Sequence, residues 1–378
     1  MIMGRYILIR TIWIFIIISI ILSLNFILLK LAPEFPPVTE EQKGIYYARQ
    51  VADGYMTLRV VEDPDEVDEI QYKVANNLTL GECPKCYYRP DDPTNPQKYW
   101  VYEPVALSTQ YFRWVGNVVT EWNWGLSTRV AVNTPVFDVL IGRNADGTFS
   151  GSSRIRTTMT LNLIALAFYI PIGFTLGIIA ALNKNSWIDN AISFFVMVFI
   201  SVPSFVVMTM LVMIFGFQLG WFPNQWPAND LGGAIQYTAL VIPVLGLSFG
   251  AIAGLTRTTR AELTEVLTSE FVLLARTKGL TRRQAVIRHA MRNSMVPLVP
   301  GIIFSFVGLL SGSVIIERIY SIPGMGRIYL RAMTQGQYDY NLVLAITAFY
   351  TIIGLFAVLL VDLSYGIVDP RIRMGARR

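Results

Sequence analysis

The sequence predicts an all-α membrane protein with six transmembrane helices and a small extracytoplasmic insertion after the first. Three observations carry this. Hydrophobic residues make up 53% of the 378 residues and mean hydropathy is +0.47, too apolar for an ordinary soluble chain of this size. Six apolar runs approach the ~20 residues needed to cross a hydrocarbon core about 30 Å thick. The basic residues gather in links that six crossings would place on one side.

The runs cover 11–31, 159–182, 188–217, 237–255, 296–316 and 342–365. Arg5 and Arg10 precede the first, as in a secretory signal. Its near-continuous apolar stretch of ~19 residues is longer than a signal core, and no small-x-small cleavage site follows at 30–36, so an uncleaved anchor is expected. The organisation is then a transmembrane helix over 1–32, an extracytoplasmic insertion and linker over 33–156, and a five-helix core over 157–378 with a cytoplasmic hairpin at about 256–295.

Orientation follows from Lys and Arg. Arg5 and Arg10, Lys184, the series Arg257, Arg260, Arg276, Lys278, Arg282, Arg283, Arg288 and Arg292, and the closing Arg371, Arg373, Arg377 and Arg378 all fall on one side, expected to be the cytoplasm. Both termini are then cytoplasmic in a multi-pass protein of the cell membrane. The formal charge of +5 reflects this topology rather than a nucleic-acid partner.

The insertion is rich in Asp, Glu, Tyr, Pro and Trp. Its length suggests a folded subdomain with Tyr87, Tyr88, Tyr99, Trp100 and Tyr102 as core. The acidic run over 62–69 reads as a solvated face or helix start ahead of a cation site. The two cysteines stand as Cys83-Pro-Lys-Cys86. One CxxC is half of a structural zinc site, no second Cys/His cluster is nearby, and no βαβ setting for redox chemistry is visible, so no metal site is expected. A disulfide closing a tight turn is read ahead of free thiols or a redox role.

The spans carry packing signals. Gly173 and Gly177, then Gly246, Gly250 and Gly254, then Gly308 and Gly312 repeat at four-residue spacing, which lets helix backbones approach closely in lipid. Pro171, Pro203, Pro243, Pro297 and Pro300 lie in or near spans. Ser201, Ser204, Thr209, Ser305, Ser311 and Ser313 either line a polar path or bond to helices. Asp189 and Asp362 fall near span ends, where interfacial solvation is expected, leaving no buried ionisable relay for proton coupling.

Between the fourth and fifth spans lies a charged segment. Residues 260–278 read as helix, Gly279 suits a left-handed C-cap, and Thr281-Arg282-Arg283-Gln284 matches a capping box. Ala275 is expected to keep the first limb slim so that another surface can approach. Arg276, Lys278, Arg282 and Arg283 give the turn a positive rim.

Phe271-Val-Leu-Leu-Ala275-Arg276-Thr277-Lys278-Gly279-Leu280, followed by His289-Ala-Met-Arg292-Asn293-Ser294 and Pro297, resembles the coupling loop of binding-protein-dependent ABC importer permeases in the dipeptide/oligopeptide/nickel form. That form runs Tyr-Val-x-x-Ala-Arg-Ala-Lys-Gly-Leu, then His-x-x-Arg-Asn-Ala, then Pro. Phe271, Thr277 and Ser294 depart from it. Glu317-Arg-Ile-Tyr-Ser-Ile-Pro323-Gly324-Met-Gly326-Arg327, Asp339-Tyr340, Asp369-Pro370-Arg371-Ile372-Arg373, Trp124-Gly125-Leu126-Ser127, Pro135-Val136 and Arg5-Tyr6-Ile7 with Arg10 resemble further elements of the family, in order. The resemblance covers about 1–31 and 111–378. It fails over 33–102, where Pro33-Glu34-Phe35-Pro36 and the cysteine pair replace a short Pro-Gly-Asp-Pro connection.

The resemblance implies a type I ABC importer permease fold and a transporter subunit, not an enzyme. Ala275, Arg276, Lys278, Gly279, Leu280, Thr281, Gln284, His289, Arg292 and Asn293 would form the ATPase-coupling loop. Implied partners are a second homologous permease, two cytoplasmic ABC ATPases that bind ATP and Mg, an extracytoplasmic substrate-binding protein and the lipid bilayer. The chain has no GxxxxGK[ST] phosphate loop, so no cofactor of its own is expected. Peptides are the cargo the resemblance favours; nickel chelates or another small solute are the alternative, though no His/Cys/Met cluster sits in the spans. A polytopic enzyme would need a cluster of acids, His or a nucleophile at one membrane face, for which Glu317, Arg327 and Asp339 are the candidates. A receptor built on the insertion would need no coupling hairpin.

Overall fold

The computed structural model describes residues 2–32, 36–76, 83, 85–94, 96–144, 146–149, 153–227, 233–334 and 338–368. Pro33, Glu34, Phe35, Pro84, the 369–373 signature and the closing Arg377 and Arg378 lie outside the described residues, as do the side chains of Arg5, Tyr6 and Ile7. By contact the chain divides into two units. One joins Met1–Ile17, Gly151–Leu330 and Phe349–Arg378; the other joins Ile18–Ser150 and Arg331–Ala348. This division runs through the first and last long helices, whereas the sequence boundary at 32 falls just after the helix Ile2–Leu31 and that at 156 inside the first turn of the helix Arg154–Leu182.

The second unit holds the end of α1 (Ile2–Leu31), α2 (Glu40–Ala52), β1 (Met56–Val61), α3 (Pro64–Ala75), β2 (Tyr87–Pro90), β3 (Tyr99–Pro104), α4 (Leu107–Glu121), α5 (Val136–Ile141) and the start of α14 (Tyr340–Val368). The strands form an antiparallel sheet in the order β1-β3-β2, with Leu58 opposite Tyr102 and Tyr88 opposite Val101. The acidic run is the start of α3. Asp63 caps it by accepting from the Asp65 N–H at 3.0 Å and Pro64 holds its first position, both favourable at a helix N-terminus. Val67 and Ile70 of α3 bury Val61, Tyr99 and Val101 on one face of the sheet. Tyr46, Tyr47, Met56 and Tyr102 form a second cluster, with Tyr47 stacked on Tyr87 at 4.3 Å.

Cys83 and Cys86 are joined as a disulfide with Cα atoms 5.3 Å apart. The turn they close carries Lys85, whose ammonium donates to the carbonyl oxygens of Lys30 and, at 3.3 Å, of Ala32. A cation there suits the negative C-terminal end of α1. Further on, Asp339 is buried and its Oδ2 accepts from Ser127 Oγ (2.6 Å) and from the N–H groups of Thr128, Arg129 and Val130 (3.0, 3.1 and 3.2 Å). Two motifs 212 residues apart thus make one joint. Gly125 beside it has φ +86°, and a Cβ there would sit 2.9 Å from the Asn341 amide nitrogen.

The other unit is built on α6 (Arg154–Leu182), α7 (Trp187–Ser201), α8 (Ser204–Leu211), α9 (Gly233–Leu267), α10 (Glu270–Thr277), α11 (Arg282–Ala285), α12 (Met291–Ile319) and α13 (Met325–Ala332), the last ending at the unit boundary. The glycine spacing explains how α6 meets α9. A Cβ on Gly177 would lie 2.5 Å from Thr259 Cβ and 2.9 Å from the Thr256 carbonyl oxygen, while Thr256 Oγ1 donates to the Gly173 carbonyl at 3.1 Å. Gly246 makes similar room for Met208. Gly254 and Gly308 face open space.

Two expectations are corrected here. The run 188–217 is not one straight helix: α7 and α8, the latter continued by the π-helical segment Val212–Gln218, are bent by 99°. Pro203 offers no N–H and pushes Val202 to extended geometry (φ −97°, ψ 122°), which ends α7. Among the described residues, five helices are long and apolar enough to span, and six if the bent pair counts as one. Nor do the two span-end aspartates rest on solvation. Asp189 is 1% exposed and paired with Arg260, and Asp362 is paired with Arg10 at 3.0 Å.

Candidate functional site

The charged hairpin is built from local chemistry. α9 ends at Leu267, and Thr268 and Ser269 break the helix that the sequence reads as continuous to Lys278. α10 then runs to Thr277. Gly279 turns the chain at φ +90°, where its N–H reaches the Arg276 carbonyl at 3.0 Å and a Cβ would meet nothing within 4 Å. Left-handed backbone is cheapest for glycine. Thr281 caps α11 reciprocally: its Oγ1 accepts from the Gln284 N–H (3.3 Å) and the Gln284 Oε1 accepts from the Thr281 N–H (3.0 Å). The limb continues through the π-helical segment Val286–Ala290 into α12.

The inner side of the hairpin has its own core. Ala181, Leu263, Val272, Ala285 and Ala290 are buried together, with Ile178, Val266, Leu267 and Met291 packed around them. Ala275 is buried too, 7% exposed. This corrects the expectation that another surface would approach it; the residue is small on the side of its own chain. The outward side carries the surface instead. Leu273, Leu274 and Ile287 are 63%, 56% and 62% exposed, with Phe271 beside them. Arg276, Lys278, Arg283, Arg292 and Asn293 are exposed, Leu280 and His289 half-buried. Leu273 and Leu274 make an apolar crest on the first limb with a basic rim, and Ile287 is exposed separately on the second; this is the composition of a protein-docking patch rather than of a catalytic site.

Sequence reasoning missed the crest. Three consecutive apolar residues on the eight-residue α10 carried a usable signal, because a helix of that length cannot turn Val272, Leu273 and Leu274 all inward.

Two guanidinium contacts seat the hairpin. Arg282 Nη2 donates to the Leu182 carbonyl oxygen at 3.1 Å, the last residue of α6. Arg260 meets Asp189 through two bonds, Nε to Oδ1 at 2.5 Å and Nη2 to Oδ2 at 2.7 Å.

The acid cluster an enzyme would need is not free for chemistry. Glu317 is fully buried and accepts from Thr158 Oγ1 (2.7 Å) and the N–H groups of Gly326 (2.7 Å) and Arg327 (3.2 Å), folding the Pro323–Gly326 turn back onto α12. Asp339 is engaged by the backbone donors described above. The hydroxyls of Ser201, Thr209, Ser305, Ser311 and Ser313 donate to carbonyls three or four residues back in their own helices, and Ser305 also bonds the Tyr169 hydroxyl of α6.

Comparison with known proteins identifies the family. Residues 173–374 match the family model for the binding-protein-dependent transport system inner membrane component. The chain is 35% identical over 268 residues to the dipeptide transport system permease protein DppB of Lactococcus lactis, covering 71% of this chain and 81% of that one. It is 33% identical over 277 residues to the oligopeptide transport system permease protein OppB of Haemophilus influenzae, covering 73% and 83%. A solved chain of the inward-facing MetNI methionine ABC transporter shares 17% identity over 57% of this chain and 94% of that one, with a TM-score of 0.46, too loose a match to carry weight.

Proposed function

The chain belongs to the family of binding-protein-dependent transport system inner membrane components, and on that premise we propose that it is the permease subunit of an ATP-driven importer of dipeptides or oligopeptides. Both relatives named above are permeases of peptide systems, which supports the cargo. The single observation that carries the coupling role is the exposure of Leu273 and Leu274 beside a basic turn fixed by Gly279 and the Thr281–Gln284 cap. Exposed large aliphatic residues beside a basic turn suit a cleft on another protein.

In this reading the hairpin sits in the cytoplasm, docked on one of two ABC ATPases that bind ATP and Mg, and both termini lie on the same side. A second, homologous permease completes the translocation path. An extracytoplasmic receptor delivers peptide on the side of the insertion. Closure of the ATPases moves the hairpins and shifts the path between inward and outward access, a rigid-body change between two states. Ala275, with Val272, packs the hairpin inward; Arg276 and Lys278 form its rim; Gly279, Thr281 and Gln284 hold its turn.

The test is uptake of labelled short peptides in cells with the chain deleted, restored, or restored as Gly279→Trp. Deletion abolishes uptake and restoration recovers it. The Trp variant fails at normal membrane levels, because a bulky side chain in left-handed backbone at the docking turn misplaces the crest. Equal uptake in all three removes the peptide assignment.

A further inference from the structure

The link between α6 and α7 is only four residues, Asn183, Lys184, Asn185 and Ser186, yet both its ends are held by guanidinium groups from the hairpin and its base. At the α6 end, Arg282 from the second limb binds the Leu182 carbonyl. At the α7 end, Arg260 from the last turns of α9 binds both oxygens of Asp189. Asp189 also closes the link itself. Its Oδ2 accepts from the Asn185 N–H at 2.8 Å, and its own N–H is capped by Ser186 Oγ. Asn185 stands at φ +64° in that turn. An aliphatic cluster around Leu263 and Val272 packs the limbs against Ala181.

This geometry matters because the hairpin has a weak point. The Thr268–Ser269 break interrupts the helix between α9 and α10. A push on the crest would be absorbed by bending there unless the load has another route. The Arg282 contact and the cluster supply one, running into α6 without passing through the break, and the Arg260–Asp189 pair then fastens the base of the hairpin to α7. A buried carboxylate held by a two-point guanidinium contact is stiff, and removing one partner leaves a charge uncompensated.

We propose that Asp189 and Arg260 form a positioning lock that makes the hairpin, the end of α6 and the start of α7 move as one block, so that ATPase motion reaches the translocation helices. The proposal rests on the permease reading above. The lock is not part of the docking surface: Asp189 is buried, and neither residue is on the crest.

The experiment uses the full importer, purified with its ATPases and reconstituted in proteoliposomes. Three quantities are read: ATPase capture, ATP hydrolysis and peptide uptake per ATP consumed. In Asp189→Asn, capture and hydrolysis persist, while uptake per ATP falls about tenfold, within the range expected for a residue that couples two sites. Arg260→Lys keeps the charge but loses the two-point contact, and recovers part of the ratio. Unchanged uptake per ATP in Asp189→Asn overturns the lock, and lost ATPase capture overturns it by making the pair a docking element.

A second measurement does not depend on these variants folding. Spin labels at Lys184→Cys and Thr277→Cys report the distance between link and hairpin with and without nucleotide. One distance in both states supports the block, and a change that tracks nucleotide overturns it. Wild-type importer that neither captures ATPases nor takes up peptide is a different failure, that of the permease reading, and the lock falls with it.

Discussion

The hairpin and the insertion are both polar segments that leave the apolar spans, yet they solve folding in opposite ways. The insertion builds a sheet-based core from part of its aromatic and aliphatic side chains, while Ile45, Leu58, Tyr72 and Phe112 stay exposed. Val61, Val101 and Tyr102 are buried, and the surface of α3 is laced with ion pairs such as Glu69 with Lys73 at 2.8 Å. The hairpin buries Ala275, Ala285 and Ala290 with Leu263, Val272 and Val286, and leaves Leu273, Leu274 and Ile287 outside. A segment that has spent its large apolar residues on its own core is complete alone. One that presents them to the surroundings is complete only when something covers them. The insertion has a sheet and two apolar clusters to fold around, whereas the hairpin has one small cluster.

The widest separation comes from changing one core residue. Ile70→Ala removes a buried aliphatic side chain from the α3–sheet core and should destabilise the insertion by ~3 kcal/mol. Limited proteolysis across 40–104 reads the loss, while ATPase capture by the hairpin stays at the wild-type level. Loss of capture as well would mean that the two regions do not fold separately.

The converse change is Leu274→Glu. Leu274 is exposed, so thermal stability should not move, but a charge on the crest should weaken ATPase capture by ~2 kcal/mol, about thirtyfold. Pull-down of the ATPase by membranes bearing the variant checks this. Capture at wild-type strength would place the docking surface elsewhere on the chain.

How much of this was legible in the sequence follows the same divide between local and distant chemistry. Gly279 and the Thr281–Gln284 box were legible because each is satisfied within a few residues. The span positions were legible because hydropathy is a local sum. The bend at Val202–Pro203 was outweighed by the apolar run on either side of it. Asp189 and Asp339 were not legible as anchors, since their partners lie 71 and 209–212 residues away. A carboxylate near a span end carries no local mark of whether water or a guanidinium will meet it. The hairpin's crest was half legible, as apolar residues without a direction.

The smallest effect probes whether the insertion's outer turn depends on charge. Asp91 Oδ1 accepts from the N–H groups of Asp92, Gln97 and Lys98 at 2.9, 2.9 and 3.1 Å, fastening the loop between β2 and β3. Desolvation pushes this carboxyl up, but the backbone donors outweigh it and the net value lies below that of a free aspartate. A carboxyl whose folded pKa is lowered stabilises the fold above its unfolded pKa of about 3.9, and that contribution is lost as pH falls through the folded value. The amides of Gln97 and Lys98 should therefore keep constant protection from neutral pH down to about pH 5 and lose it only in stronger acid. In Asp91→Asn the acid step should vanish and protection at neutral pH should drop, because an amide oxygen is a weaker acceptor than a carboxylate for the same donors. Hydrogen exchange of segment 91–98 across this range checks it. An acid step that survives the substitution would assign the loop's pH response to the ion pairs of α3 and not to Asp91.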